Sequence, residues 1–169
     1  MWIDSMSYCN NSFLSSKILK KCEEWLKRFP EDKKRSAVIE ILKIVQKENG
    51  GYLTEHLIEK VADYLNISRI SAFEVATFYS MFELNEIGKY KVCFCISVSC
   101  MLCGSDELVE YTKKKLGINF NETTKDGKFT LKKVECLAAC GGSPVALIGE
   151  KYYENLTPNK IDVILDGLE

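Results

Sequence analysis

The amino-acid sequence predicts an α+β protein, with an N-terminal helical bundle followed by an α/β domain built on a small mixed sheet. Three observations lead to that expectation. From about Ser15 to Phe82 apolar residues recur at helical spacing; after Gly88 strand-like segments appear; and the later elements follow the order β-α-β-β-α. The boundaries read as a tail over residues 1–14, a helical region over 15–86 and a second domain over 87–169.

In the helical half, the first helix runs from near Ser16 to Phe29 and stops at Pro30, whose ring and missing N–H cannot continue it. It places Cys22 on one face with Ile18, Leu19, Leu26 and Phe29, so this cysteine reads as a small core hydrophobe. The second helix carries Val38, Ile41, Leu42 and Val45 and meets Gly50-Gly51, a C-terminal stop. The third begins after Thr54 and bears Leu57, Ile58, Val61, Ala62 and Leu65. The fourth starts near Ser68 and includes Ile70, Phe73, Ala76, Thr77 and Phe78. Phe73, Phe78, Tyr79 and Phe82 together read as core or as a subunit interface. His56, the sole histidine, falls at a polar helix start and reads as a surface residue.

In the second half, Tyr90 to Ile96 is rich in β-formers and reads as a strand. Asp106 to Leu116 reads as a helix with Leu108, Val109, Thr112 and Leu116 inward, ended by Gly117. Lys128 to Val134 alternates apolar and charged residues, as a half-buried strand does. Val145–Ile148 and Tyr152–Glu154 flank Gly149-Glu150, a hairpin turn. A last helix opens with Thr157 as N-cap and Pro158 at its first position. This order suits a thioredoxin-like arrangement.

Composition excludes several classes of function. Of 169 residues, 46% are hydrophobic and 28% charged, the balance of a globular protein. A net charge of −1 without basic runs gives no electrostatic footprint for nucleic acid or an anionic membrane. No apolar stretch approaches the roughly 18 residues that span a bilayer, so direct membrane insertion is not expected. The N-terminal MWIDSMSYCNNSFL has neither a basic n-region with an apolar core nor the Arg-rich character of a transit peptide. The expected location is therefore the compartment of synthesis, in a bacterial rather than a mitochondrial setting.

Eight cysteines in such a chain point to metal or redox chemistry rather than to a disulfide framework. Cys9 and Cys22 stand apart, and the other six lie between positions 93 and 140. Cys95 and Cys100, spaced C-x4-C, span the loop after the first strand; Cys136 and Cys140, spaced C-x3-C, span the loop after the next. If those strands are neighbours, both loops leave one edge of the sheet and four thiolates converge. Four thiolates are the ligand set of a [2Fe–2S] cluster. Small residues around them (Ser97, Ser99, Ala138, Ala139, Gly141 and Gly142) allow backbone N–H groups to approach the sulfurs.

Three other readings of these cysteines stay open on spacing alone. Structural zinc favours C-x2-C-like pairs, which x4 with x3 fits poorly. A catalytic dithiol at Cys100-Met101-Leu102-Cys103 leaves Cys136 and Cys140 without a task. Cys95-x4-Cys100-x2-Cys103 reproduces the plant-type ferredoxin spacing, with Cys136 or Cys140 as the distant fourth ligand. The helical half and the helix expected directly after Gly104 argue against that last reading. Cys93 shares a strand face with Cys95 and reads as core. A Rieske centre needs two histidines and is excluded.

The run CISVSCMLCGSDEL from Cys95 and the segment VECLAAC ending at Cys140 resemble the two cluster motifs of the 24 kDa (NuoE-like) subunit family of respiratory complex I. AFEVATFYSMF (Ala72 to Phe82), GKY (Gly88 to Tyr90), KKLGINFNETTKDGKFTL (Lys114 to Leu131) and YYENLT near the end fit as well, so the similarity covers roughly residues 15 to 168. The resemblance implies a thioredoxin-like [2Fe–2S] ferredoxin domain with Cys95, Cys100, Cys136 and Cys140 as cluster ligands. It implies a flavin-bearing, NADH-oxidising partner subunit within a larger complex, with FMN and NADH on that partner, and a peripheral place on the inner face of an energy-transducing membrane. The absence of G-x-G-x-x-G and P-loop motifs agrees with that division of labour. Cys103 departs from the family, which more often carries Arg there, and GGSP (Gly141 to Pro144) differs from its commoner versions. Pro144 stands where thioredoxin-like folds often use a cis proline. The equivalent subunit of an NAD-dependent hydrogenase or formate dehydrogenase is the nearest alternative; a zinc-stabilised interaction module without redox role is the alternative of another class.

Overall fold

A computed structural model of the chain describes residues 16–168, so the tail over 1–14 and Cys9 within it lie outside the described residues. The chain divides into two compact units, the first ending at Asn85 and the second beginning at Glu86.

The first unit is helical: α1 (Ser16–Leu26), a 3-10 segment (Glu31–Ala37), α2 (Val38–Glu48), α3 (Glu55–Leu65) and α4 (Arg69–Phe78). Local chemistry explains most of these limits. Thr54 and Ser68 cap α3 and α4 by accepting hydrogen bonds from Leu57 N and Ser71 N, both at 3.3 Å. Asn66 closes α3 in the left-handed conformation that its short polar side chain tolerates. Gly50 and Gly51 take positive φ after α2, as their position anticipates. The core joins Ile41, Leu42 and Val45 to Leu57, Ile58, Val61 and Ala62, with Cys22 fully buried among them. Burial pushes the Cys22 thiol up to about 11, with Glu23 adding to the shift, so this cysteine is an uncharged hydrophobe as expected.

Two details differ from the periodicity. The first helix ends at Leu26 rather than Phe29, the last three residues forming a turn that leads into Pro30. On α4 the buried residues are the small Ala72 and Ala76, whereas Ile70 and Phe78 are exposed. Of the aromatic group only Phe82 is buried, Phe73 is half-buried, and Phe78 meets Tyr79 edge to face at 5.1 Å. α4 packs against α2 and α3, and the residues it buries are small, a choice that hydrophobicity counts do not register.

The second unit runs β1 (Tyr90–Cys95), α5 (Val98–Leu102), α6 (Ser105–Leu116), β2 (Phe129–Val134), a 3-10 turn (Cys140–Gly142), β3 (Ala146–Ile148), β4 (Lys151–Tyr153) and α7 (Pro158–Asp166). Its sheet has the order β2-β1-β3-β4. β1 pairs with β2 in parallel over its whole length, from Tyr90 opposite Phe129 to Cys95 opposite Val134. β1 and β3 are antiparallel, as are β3 and β4. A parallel neighbour requires a crossover, which α6 supplies. Thr157 and Pro158 open α7 as expected, with Lys160 N donating to the Thr157 hydroxyl at 3.3 Å. The core gathers Val92, Phe94, Phe129, Leu131, Leu108, Val109, Ile161 and Leu165. Gly88 permits the entry to β1: a Cβ there would lie 2.9 Å from Gly127 O and 3.0 Å from backbone carbons of Lys128 and Phe129.

A polar cluster joins α6 to α7. Tyr111 donates to Asp162 Oδ2 at 2.7 Å, and Lys115 Nζ stands 2.9 Å from Asp162 Oδ1 and 2.9 Å from Asp166 Oδ1. The Tyr111 hydrogen bond first, and Lys115 next, hold the Asp162 carboxyl below its ordinary 3.8. A carboxyl with a depressed folded pKa contributes stability above its unfolded pKa and loses that contribution as pH falls through the folded value. We expect stability to decline on acidification below pH 3.8. Asp162→Asn should flatten that acid slope, read as the denaturant midpoint measured from about pH 5 to about pH 2.

Candidate metal centre

Cys95 is the last residue of β1, and the backbone clamps it on both sides. Its N–H donates to Val145 O at 3.1 Å, and the next residue, Ile96, donates to Val134 O at 3.0 Å. Cys100 lies within α5, a short helix that forms where the residue pattern predicts only a loop. Both cysteines are buried and pack with Val145, Leu137 and Ala139 in a small apolar cluster of their own. Because β1 and β2 are parallel neighbours, the segment after Val134 leaves the same edge of the sheet as the segment after Cys95. That second segment carries Cys136 and Cys140, both exposed. The structure thus brings Cys95 and Cys100 together beneath the edge and sets Cys136 and Cys140 on the adjoining loop. Among the described residues, no three Cys, His, Asp or Glu side chains gather around the position of a single ion.

The surroundings of the sulfurs suit negative charge. Cys95 Sγ lies 3.3 Å from Ser97 Oγ, and Cys100 Sγ lies 3.4 Å from Ser143 Oγ. Ala138 N donates to Cys136 Sγ at 3.2 Å. Ala138 adopts a left-handed φ of 55°, a conformation that costs a residue with a Cβ roughly 1–2 kcal/mol and is retained only where the surroundings impose it. At Cys95 burial acts to raise the pKa. Hydrogen bonds from the Ser97 hydroxyl and N–H, the Leu137 N–H and Cys100 outweigh it and hold the thiol below its ordinary value. The contrast with Cys22 separates a thiol held below its ordinary value from one pushed up to about 11.

The loop bearing Cys140 is anchored from behind. Asn155 N donates to Gly142 O at 2.6 Å, and Leu156 N donates to Pro144 O at 3.1 Å. The Glu154 side chain occupies the space a Cβ on Gly142 would need, so this glycine is required by close packing. The Ser143–Pro144 bond is cis. Cys103 ends α5, exposed, next to a Gly104 with φ of 89°, and α6 begins directly afterwards. Cys93 is buried on β1, as its position anticipates, and His56 is exposed at the start of α3. Hydrophobicity and spacing do not single out Ser105, whose buried hydroxyl donates to Cys95 O at 2.7 Å and ties α6 to the end of β1. The directions of the Ser97 and Ser143 hydroxyls are equally hidden from them. Their one sequence signal is a hydroxyl residue placed within three positions of a ligand-spaced cysteine.

The model of the thioredoxin-like [2Fe-2S] ferredoxin family matches residues 22–169. The chain belongs to that family. The cofactor of this ferredoxin family is a [2Fe–2S] cluster, and the donor set of this site fits it: soft thiols, that of Cys95 held below its ordinary value, with an N–H donating to one sulfur and hydroxyls within hydrogen-bond distance of two others. This ferredoxin is 45% identical over 159 residues to an NADH-quinone oxidoreductase subunit of Rickettsia conorii, covering 94% of this chain and 95% of the relative. It is 40% identical over 151 residues to the mitochondrial NADH dehydrogenase [ubiquinone] flavoprotein 2 of Dictyostelium discoideum, covering 89% of this chain and 61% of that protein. Among solved structures it shares its fold with a chain of an NAD+-reducing [NiFe]-hydrogenase in the air-oxidized state, at TM-score 0.66 and 17% identity. That match covers 77% of this ferredoxin and spans only 22% of the hydrogenase chain. Among the described residues no helix is long and apolar enough to cross a membrane.

Proposed function

We propose that this ferredoxin is an electron-carrying subunit of an NADH:quinone oxidoreductase. In this reading Cys95, Cys100, Cys136 and Cys140 hold one [2Fe–2S] cluster that exchanges single electrons with the FMN of a flavin-bearing, NADH-oxidising partner. The observation that carries the ligand assignment is the parallel pairing of β1 with β2, which delivers the C-x4-C and C-x3-C segments to one sheet edge. The names of the relatives support the host complex. When bound, the cluster supplies a one-electron site.

The chain's own residues do the rest. Cys95 and Cys100, buried against Val145, keep water from one side of the site. Cys136 and Cys140, exposed on the adjoining loop, keep the other side near the surface, where an electron partner can approach. Ser97 and the N–H groups of Leu137 and Ala138 place positive dipole ends at sulfur, which favours thiolate over thiol. Peripheral association with the membrane would then come through the partner subunits.

Anaerobic purification should yield about two iron and two acid-labile sulfide per chain, the stoichiometry of one [2Fe–2S] cluster. Zinc without sulfide would replace this reading with the structural-zinc module. Native co-purification decides the host: a flavin-bearing NADH-oxidising subunit with quinone-reductase subunits supports the proposal, and hydrogenase or formate dehydrogenase subunits point to the alternative.

A further inference from the structure

We propose that the Ser97 hydroxyl sets the reduction potential of this site by donating a hydrogen bond to the Cys95 sulfur, acting through that ligand as a positioning residue. The inference rests on the proposed ligand set. Three observations support this role for Ser97. Its Oγ lies 3.3 Å from Cys95 Sγ. It occupies the N-cap position of α5, yet its side chain makes no bond to the amides of that helix, which leaves the hydroxyl available to the sulfur. Cys95 itself is only 2% exposed, where a fixed dipole is poorly screened.

Proton bookkeeping gives the direction of the bond. A serine hydroxyl has one proton to donate, and a metal-bound thiolate has none. Once Cys95 is deprotonated, Ser97 must be the donor. Ser143 offers an internal contrast: its Oγ is 3.4 Å from Cys100 Sγ but also donates to Cys140 O at 2.9 Å, so its single proton already has an acceptor. The two serines therefore look alike in sequence but differ in what they can give to sulfur.

One-electron reduction by a chemical reductant adds a negative charge to the iron-thiolate unit. No covalent bond breaks, and the Ser97 proton stays on its oxygen. A donor at sulfur stabilises the reduced state more than the oxidised state, so removing the donor lowers the potential. The expected size is about a tenfold fall in the equilibrium constant for reduction, which for a one-electron couple is about 59 mV.

The test is a mediated redox titration of the full chain, purified anaerobically and followed by the visible absorption of the oxidised site and the EPR signal of the reduced one. Ser97→Ala should move the potential down by about that amount at unchanged iron and sulfide content. Ser97→Thr should stay within about twofold of the wild-type equilibrium constant, and Ser143→Ala should move less than Ser97→Ala. A Ser97→Ala potential equal to wild type overturns the inference, as does a Ser143→Ala shift of equal or greater size. If Ser97→Ala holds no iron, Ser97→Val against Ser97→Thr repeats the comparison with matched side-chain shapes. Iron loss in both hydroxyl-free variants, with retention in Ser97→Thr, assigns a structural role and also overturns it. Failure of the ligand set is read separately, from wild-type iron and sulfide and from replacement of the four cysteines.

Discussion

Replacing any one of Cys95, Cys100, Cys136 or Cys140 by alanine should cut bound iron and sulfide from about two each per chain to well under one, because each removal leaves an iron short of a thiolate. Cys103→Ala should keep the full complement. The reason lies in where α5 puts the two thiols. Cys100 is buried beside Cys95, whereas Cys103 ends the helix exposed. Anaerobic iron and sulfide analysis of the five variants, with visible spectra, reads the result. Loss of the cluster in Cys103→Ala, together with a dispensable Cys136 or Cys140, would restore the plant-type spacing. Cys22→Ala serves as the control, since that thiol is buried in the helical unit and held neutral.

Phe94→Ala should be the most damaging single change to the second unit, at about 3–5 kcal/mol. Phe94 is fully buried on the central strand, opposite Lys133 of β2 and Ala146 of β3, and belongs to the main core of the unit. Its core companions Val92, Leu131 and Ile148 are themselves buried, and Val92 and Ile148 are stiff at the β-carbon, which limits how far the core can collapse into the vacated volume. A domain of this size is stable by only about 5–15 kcal/mol, so the loss is a large share. Guanidinium unfolding of the wild type and variant gives the comparison, with Val163→Ala, at a position 75% exposed, expected within about 0.5 kcal/mol of wild type. A Phe94→Ala cost below about 1 kcal/mol would mean that the core is not organised around β1. Since Cys95 follows Phe94 directly, the same variant should also bind iron less completely.

Much of the fold is readable from local chemistry. Thr54, Ser68 and the Thr157-Pro158 pair mark helix starts because capping is settled within one turn of chain. Gly149 and its flanking residues mark the β3–β4 hairpin for the same reason. The exposure of Ile70 and Phe78 is not readable in this way. Which residues of α4 are covered depends on how the helix packs against α2 and α3, and the covered ones are the small Ala72 and Ala76. Helix α5 is equally hidden, because five residues carry too little periodicity to announce a helix.

The candidate site divides along the same line. Residue identity and order are enough to establish that cysteines of the right type stand in two spaced pairs, each just after a strand, and that long family similarity runs through the chain. They do not establish that β1 and β2 are parallel neighbours, that Cys100 is buried while Cys103 is exposed, or that the Ser97 and Ser143 hydroxyls differ in what they can donate; these come from the folded arrangement. Pairing order and burial are set by contacts between segments far apart in the chain, which no local pattern encodes. The serine hydroxyls, by contrast, meet Cys95 and Cys140 only two and three residues away and need the folded backbone to fix their direction.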